Sequence, residues 1–250
     1  MTQRRLVRVG VYVDAYNLYY GGRALCGRAA AGWRWLDVRG LALNAIATQG
    51  SWSVSNLEHV VYCTARVDAV TNPGGHRDQD VYLKALLASG SVDWVEYGNY
   101  VARTKTGLLA TENSVTGRPT VTTSAWPVMV QDGAGRAVRD ARFLVKYLHL
   151  EEKGSDVNVA AHLLTDALDG RIDGAVVISN DSDLALPIRQ VRERIPLGLV
   201  NPRGGPTAGG LRGSKEEGVG GHWWWKLQES AFRSNQLTDP AGGQRRPPGW

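Results

Sequence analysis

Four aspartates stand where a chain could do metal-assisted chemistry. Asp181 and Asp183 are one residue apart in "SNDSDL", directly after the apolar run "GAVVIS" (174–179). Asp14 ends a second apolar run, "LVRVGVYVD" (6–14), and Asp156 opens the helical pattern "DVNVAAHLLTDAL" (156–168). Carboxylates crowded together raise one another's pKa unless a positive charge sits between them. Hard divalent cations such as Mg²⁺ or Mn²⁺ are held by a few carboxylates while keeping water ligands. A metal so held activates water and neutralises charge on a phosphoryl group, and two metals roughly 4 Å apart stabilise both attacking and leaving oxygens. The residue types therefore point to phosphodiester chemistry.

Elements far apart in sequence must bring these acids together. Residues 6–14, 57–65, 91–98, 174–179 and 196–200 are short, apolar and β-branched, as buried parallel strands are. "RDQDVYLKALLAS" (77–89) and 156–168 carry apolar residues at helical period, each stopped by a glycine. Strands alternating with helices predict a doubly wound parallel α/β sheet. Such sheets gather their sites at the carboxyl ends of the strands, and right-handed crossovers make the first and fourth strands neighbours. The catalytic domain is expected over 1–200, with an insertion of β-hairpin character at about 100–149. A Gly-rich loop (201–221), a terminal helix over "HWWWKLQESAFRSNQL" (222–237) and a disordered tail (238–250) are expected to follow.

The chain has 250 residues, enough for a large core without a disulfide or metal staple. Cys26 and Cys63, with no C-x-x-C spacing, read as small buried hydrophobes. The formal charge of +5 is compatible with nucleic acid but is scattered. No apolar run is long enough to span a bilayer, and Asp14 interrupts a signal-like start, so a cytoplasmic location is expected. "GPTAGGL" lacks the Lys-Ser/Thr of a P-loop, and no G-x-S-x-G occurs.

Each candidate also has a plainer reading. An Asp at a helix N-cap contributes about 1 kcal/mol, which Ser182 or Asp183 could supply. Asp156 suits a first helical turn, and Asn17 could cap a helix starting at Leu18. Lys153 is either a solvated charge or a cation near substrate phosphate. Asp80 is an outside candidate for a further ligand. Trp223–Trp225 could stack bases, although consecutive helical residues point apart, so packing onto the sheet is the better expectation.

"VYVDAYNLYYG" (11–21), "EEKGSDVNVAAHLL" (151–164) and "VVISNDSDLALPIRQVRE" (176–193), in that order, resemble the NYN domain family. That family is a branch of the PIN-like nucleases similar to LabA-type proteins; "RDQDVYLKAL" (77–86) is a weaker fourth match. The resemblance implies a PIN-like α/β/α domain and a metal-dependent ribonuclease, a hydrolase using metal-activated water on RNA. It implies Asp14, Asp156, Asp181 and Asp183 as catalytic and metal ligands for Mg²⁺ or Mn²⁺. It further implies Asn17, Lys153 and Ser179 on the substrate, a single-stranded or structured RNA. Asn180 stands where the family more often has Gly or Ser. The rival expectations are a catalytically silent RNA-binding or adaptor module and a haloacid-dehalogenase-like phosphatase. The latter is disfavoured because Asp14-Ala15-Tyr16 lacks a second acid.

Overall fold

The computed structural model describes residues 4–6, 8–54, 56–125 and 129–250. Val7 of the expected first strand and residues 126–128 of the expected insertion lie outside that range.

In chain order the elements are β1 (Arg4–Leu6), β2 (Val9–Asp14), α1 (Ala15–Cys26), α2 (Val38–Gln49), β3 (Trp52–Val54), β4 (His59–Ala65) and α3 (Pro73–Ala88). There follow β5 (Trp94–Leu108), β6 (Ala110–Glu112), β7 (Pro119–Val121), β8 (Leu144–Lys153), α4 (Ser155–Leu168) and β9 (Gly174–Ile178). A 3₁₀ turn (Ser182–Leu184) then leads into α5 (Ala185–Arg192), β10 (Leu197–Asn201), α6 (Gly209–Arg212), β11 (Trp223–Lys226) and α7 (Glu229–Ser234).

The chain divides into two compact units. The larger, residues 1–100 and 152–250, is a mixed α/β unit on a largely parallel sheet. The sheet order is β11-β10-β9-β2-β4-β5-β8, and every pairing from β11 to β5 is parallel. Central strands β2, β4 and β9 are buried throughout, which is why they read as continuous apolar runs rather than alternating ones. Alternate residues of β2 supply two cores. Val9, Val11 and Val13 pack with α1, α2 and α3, whereas Tyr12 joins Val159 and Leu163 of α4 and Ile188 of α5. Helices thus cover both faces. Cys26 and Cys63 are free and buried.

The second unit, Val101–Glu151, includes the distal part of β5, the antiparallel pair β6–β7 and most of β8. Within it Lys105 pairs with Glu151, and Asp132 accepts from Ala134 and Arg136 to close a turn.

Two expectations for the last fifty residues differ from what is found. The tryptophan run is strand β11, in parallel register with β10 (Gly198↔Trp223), and the helix is confined to α7. Aromatic residues favour the pleated surface. Here the Trp223 indole lies over Gly198, where a Cβ would sit 2.2 Å from it, and meets Trp52 edge-on at 5.3 Å. The expected disordered tail instead lies on the core. Ala241 is buried, and the Trp250 ring lies 5.6 Å from Tyr82 and 6.4 Å from Trp35. An indole at the chain end is enough apolar surface to anchor a polar segment.

The Gly-rich loop after β10 is organised around Arg192. This buried guanidinium donates to the Leu211 carbonyl (2.7 Å) and to Glu217 (3.3 Å). Among the described residues, no helix is long and apolar enough to cross a membrane.

Candidate functional site

The site begins with strand register. Val13 of β2 is opposite Ile178 of β9, so the next residues, Asp14 and Ser179, leave the sheet side by side. The Ser179 hydroxyl donates to Asp14 Oδ2 at 2.9 Å. Asn17 donates its backbone N–H to Oδ1 (3.0 Å) and its side-chain amide to Oδ2 (2.7 Å). Asp14 is therefore the N-cap of α1, which starts at Ala15. That corrects the expectation of a helix starting at Leu18 with Asn17 as its cap. A capping Asp bends the chain from strand to helix while leaving its carboxylate at the rim.

Asp14 is only 2% exposed. Burial pushes its carboxyl upward, the bonds from Asn17 and Ser179 pull it back, and the nearby Asp181 charge pushes it up again. Asp181 follows by a second relay: its N–H donates to Ser179 Oγ (3.0 Å), and its own carboxylate accepts the Asp183 N–H (3.0 Å). Asp181 is half-buried and caps the 3₁₀ turn, whereas Asp183 is exposed. Capping is thus part of what Asp14 and Asp181 do, and Asp183 donates to that cap rather than forming it.

Asp156 enters from the other side, in the first turn of α4, half-buried. The end of β8 before it carries Glu152, a residue sequence reasoning missed. Burial raises the Glu152 carboxyl, the Ser155 N–H (3.1 Å) lowers it, and the charges of Asp156 and Asp14 raise it again. Two glycines shape this approach. Gly154 turns the chain at φ +95, and a Cβ at Gly98 would meet the Lys153 carbonyl at 2.5 Å. Lys153 is exposed at the end of β8. Asp80 is occupied elsewhere, by Lys84 (2.6 Å) and Arg66 (3.1 Å), which hold its carboxyl low.

Asp14, Glu152, Asp156 and Asp181 thus share one rim, where the Asp181 charge acts on Asp14 and the Asp156 and Asp14 charges act on Glu152. Among the described residues, however, no three His, Cys, Asp or Glu side chains gather tightly enough to ligate one ion directly. The donor set nevertheless suits a hydrated hard cation, which takes one or two carboxylates and keeps its waters. Asn17 Oδ1, buried beside Asp14, has no hydrogen-bond partner among the described residues. Such an oxygen is costly to leave unmatched, and a cation or its water would satisfy it.

An aromatic group borders the same rim. The hydroxyls of Tyr16 and Tyr100 are hydrogen-bonded, and the Tyr16 ring lies 5.1 Å from that of Tyr20. Burial raises both the Tyr16 and Tyr100 hydroxyls. The signal for the helical pair was present in "DAYNLYYG", where Tyr16 and Tyr20 are one turn apart.

No family model matches the chain. It is 27% identical over 223 residues to the 6-hydroxy-3-succinoylpyridine 3-monooxygenase HspA of Pseudomonas putida (strain DSM 28022 / S16). The match covers 81% of this chain and 63% of that protein, so the chain spans less than two thirds of its relative's length. A crystal structure of a protein of unknown function, VPA0982, from Vibrio parahaemolyticus RIMD 2210633 aligns with a TM-score of 0.40. It is 14% identical, with 92% of this chain and 98% of that one covered. The named relative corrects the expected reaction class. It is a monooxygenase, an oxidoreductase and not a hydrolase, so the assignment of this chain as a phosphodiester hydrolase is withdrawn.

Proposed function

We propose that this chain is an NYN-type, PIN-like α/β module whose acidic rim binds Mg²⁺ or Mn²⁺ and, through that cation, the phosphates of an RNA strand. The role is binding, and a cytoplasmic location belongs to the same reading. One observation carries it: Asp14 is held at the end of the central strand, almost fully buried, within the field of Asp181 and with its own charge acting on Glu152. Keeping a carboxylate there is costly, and a divalent cation at the rim offsets that cost. Asp14, Asp156 and Asp181 would hold the hydrated ion, with Asp183 on its outer side. Ser179 and Asn17 fix Asp14, Lys153 meets phosphate, and Tyr16 and Tyr20 offer faces on which a base stacks. The test is fluorescence anisotropy of a labelled single-stranded RNA with Mn²⁺, Mg²⁺ or EDTA. The reading expects binding that needs the metal and is lost in Asp14→Asn and Asp181→Asn. Metal-independent binding, or none, contradicts it.

The monooxygenase relative favours a second reading, an oxidoreductase acting on a hydroxylated nitrogen heteroaromatic ring. The tyrosine faces beside Asp14 suit such a ring, and the carboxylate suits its hydroxyl. One oxygen atom of O₂ would enter the substrate and the other leave as water, with two electrons from a separate donor. Oxygen uptake dependent on 6-hydroxy-3-succinoylpyridine and a reduced nicotinamide would support this reading, and its absence would remove it.

A further inference from the structure

The opposite edge of the same sheet holds a second polar site that the acidic rim does not use. Arg8 precedes β2, His59 opens β4, Trp94 opens β5 and Arg171 precedes β9, so all lie at the amino ends of parallel strands. Helix α4 runs back to this edge and delivers His162 and Asp166. Together with Glu58 these residues line a cavity of about 450 Å³, within the roughly 300–1,000 Å³ of small-molecule sites.

A buried network forms the floor. The Tyr12 hydroxyl donates to Asp166 Oδ2 at 2.7 Å. His59 Nε2 lies 3.0 Å from the same oxygen and 3.2 Å from the Tyr12 hydroxyl. Tyr12 is fully buried, Asp166 is 4% exposed and His59 8%. The network fills the space a side chain at position 10 would need: a Cβ on Gly10 would sit 2.7 Å from the Tyr12 hydroxyl. Three polar groups in a sheet interior are costly unless fully matched. Because the Tyr12 O–H is spent on Asp166, His59 Nε2 is the donor to the Tyr12 oxygen, and in the neutral imidazole Nδ1 is then an acceptor. Among the described residues, Nδ1 makes no hydrogen bond.

The unspent capacity of the cavity is of one kind. Arg8 is already forked onto Asp173 (2.6 and 3.2 Å), and Arg171 is bound to Asp166 (3.3 Å) and Asp169 (2.8 Å). His162 faces Glu96 at 3.3 Å. The Glu58 carboxylate, by contrast, makes no hydrogen bond or ion pair among the described residues, although its charge acts on Arg8. Trp94 forms an aromatic wall, its ring 5.1 Å from His59 and 6.1 Å from His162. An open carboxylate, a ring-nitrogen acceptor and an indole all favour a flat cation bearing N–H donors.

We propose that this cavity is a binding site for a small planar nitrogen cation, an amidinium or a protonated heteroaromatic ring. Its N–H groups bond to Glu58 and His59 Nδ1, and its face lies along Trp94. The site is separate from the acidic rim and does not depend on what that rim binds.

Isothermal titration calorimetry with benzamidine, beside neutral benzamide and anionic benzoate, tests this on the full chain. The wild type should bind benzamidine saturably and in preference to the other two. Glu58→Gln, on the surface and neutral for folding, should weaken it about tenfold, as loss of one charge-assisted bond does. Trp94→Ala should weaken it roughly fivefold through the lost cation–π contact, and Asp14→Asn should leave it unchanged. Circular dichroism confirms that each variant is folded. No saturable binding, a preference for benzoate, or affinity untouched by both cavity variants overturns the proposal. Sensitivity to Asp14→Asn instead would move the ligand to the rim and equally overturn it.

Discussion

The Ser179 hydroxyl, at the end of β9, donates to Asp14 Oδ2, at the end of β2, across 165 residues of chain. The Ser179 Oγ in turn accepts the Asp181 N–H. One hydroxyl therefore fixes the carboxylate of the first motif to the backbone of the last. Ser179→Ala removes both bonds at a fully buried position. It should cost about 1–3 kcal/mol in urea denaturation, the range for leaving a buried polar group unmatched, and it should raise the Asp14 carboxyl further. An unchanged unfolding midpoint would show that the relay is not needed.

Burial raises the Asp14 carboxyl above its unfolded value. The native state therefore holds this proton more tightly than the unfolded chain, and the associated stability is fully present below the unfolded pKa. It is lost as pH rises through the native pKa. Asp14→Asn loses hydrogen bonds at every pH but carries no charge. The melting temperature of wild type minus variant should thus fall as pH is raised from the acid range to neutrality. Mn²⁺ at neutral pH should restore the wild type alone. A difference that grows with pH would contradict this.

Gly98 lets β5 approach the end of β8, which carries Glu152 and leads through the Gly154 turn into Asp156. In Gly98→Ala the new Cβ would meet the Lys153 carbonyl, which is backbone and cannot swing aside. Overpacking of this kind costs roughly 1–3 kcal/mol. The displaced turn should weaken divalent-cation binding more than Gly50→Ala, a control at a left-handed cap with no atom within 4 Å. Equal binding in both would show that the turn plays no part.

Arg192 holds the loop after β10 from inside. Burial disfavours its charge, and Glu217 supports it. Arg192→Ala leaves the Leu211 carbonyl and Glu217 without their partner. It should cost about 3 kcal/mol, the lower end for a broken buried pair because Glu217 is partly exposed. Amide exchange should quicken across residues 209–222, and unchanged exchange there would refute the clamp.

What could be read from the sequence followed the strength of the burial signal. β2, β4 and β9 were legible because strands covered on both faces show unbroken apolar runs. Asp14, Asp156 and Asp181 were legible because each stands where such a run or a helical period changes. Glu152 was not, since its place depends on the Gly154 turn and on Gly98 leaving room beside it. The strand at Trp223–Lys226 was misread as helix because it pairs with β10 through backbone register, which three tryptophans do not announce. The reaction class was illegible for a different reason. Carboxylates at strand ends mark where charge is held, and that arrangement serves more than one chemistry.

Calorimetric titration of Mn²⁺ into the metal-free chain at neutral pH, beside Asp14→Asn, addresses the acidic rim most directly. Saturable binding that Mg²⁺ competes away, weakened at least about tenfold in the variant, is the expected result. Even residues that only orient a ligand typically account for a loss of that size. Identical isotherms for the two proteins, or no binding by the wild type, would contradict a cation site at Asp14.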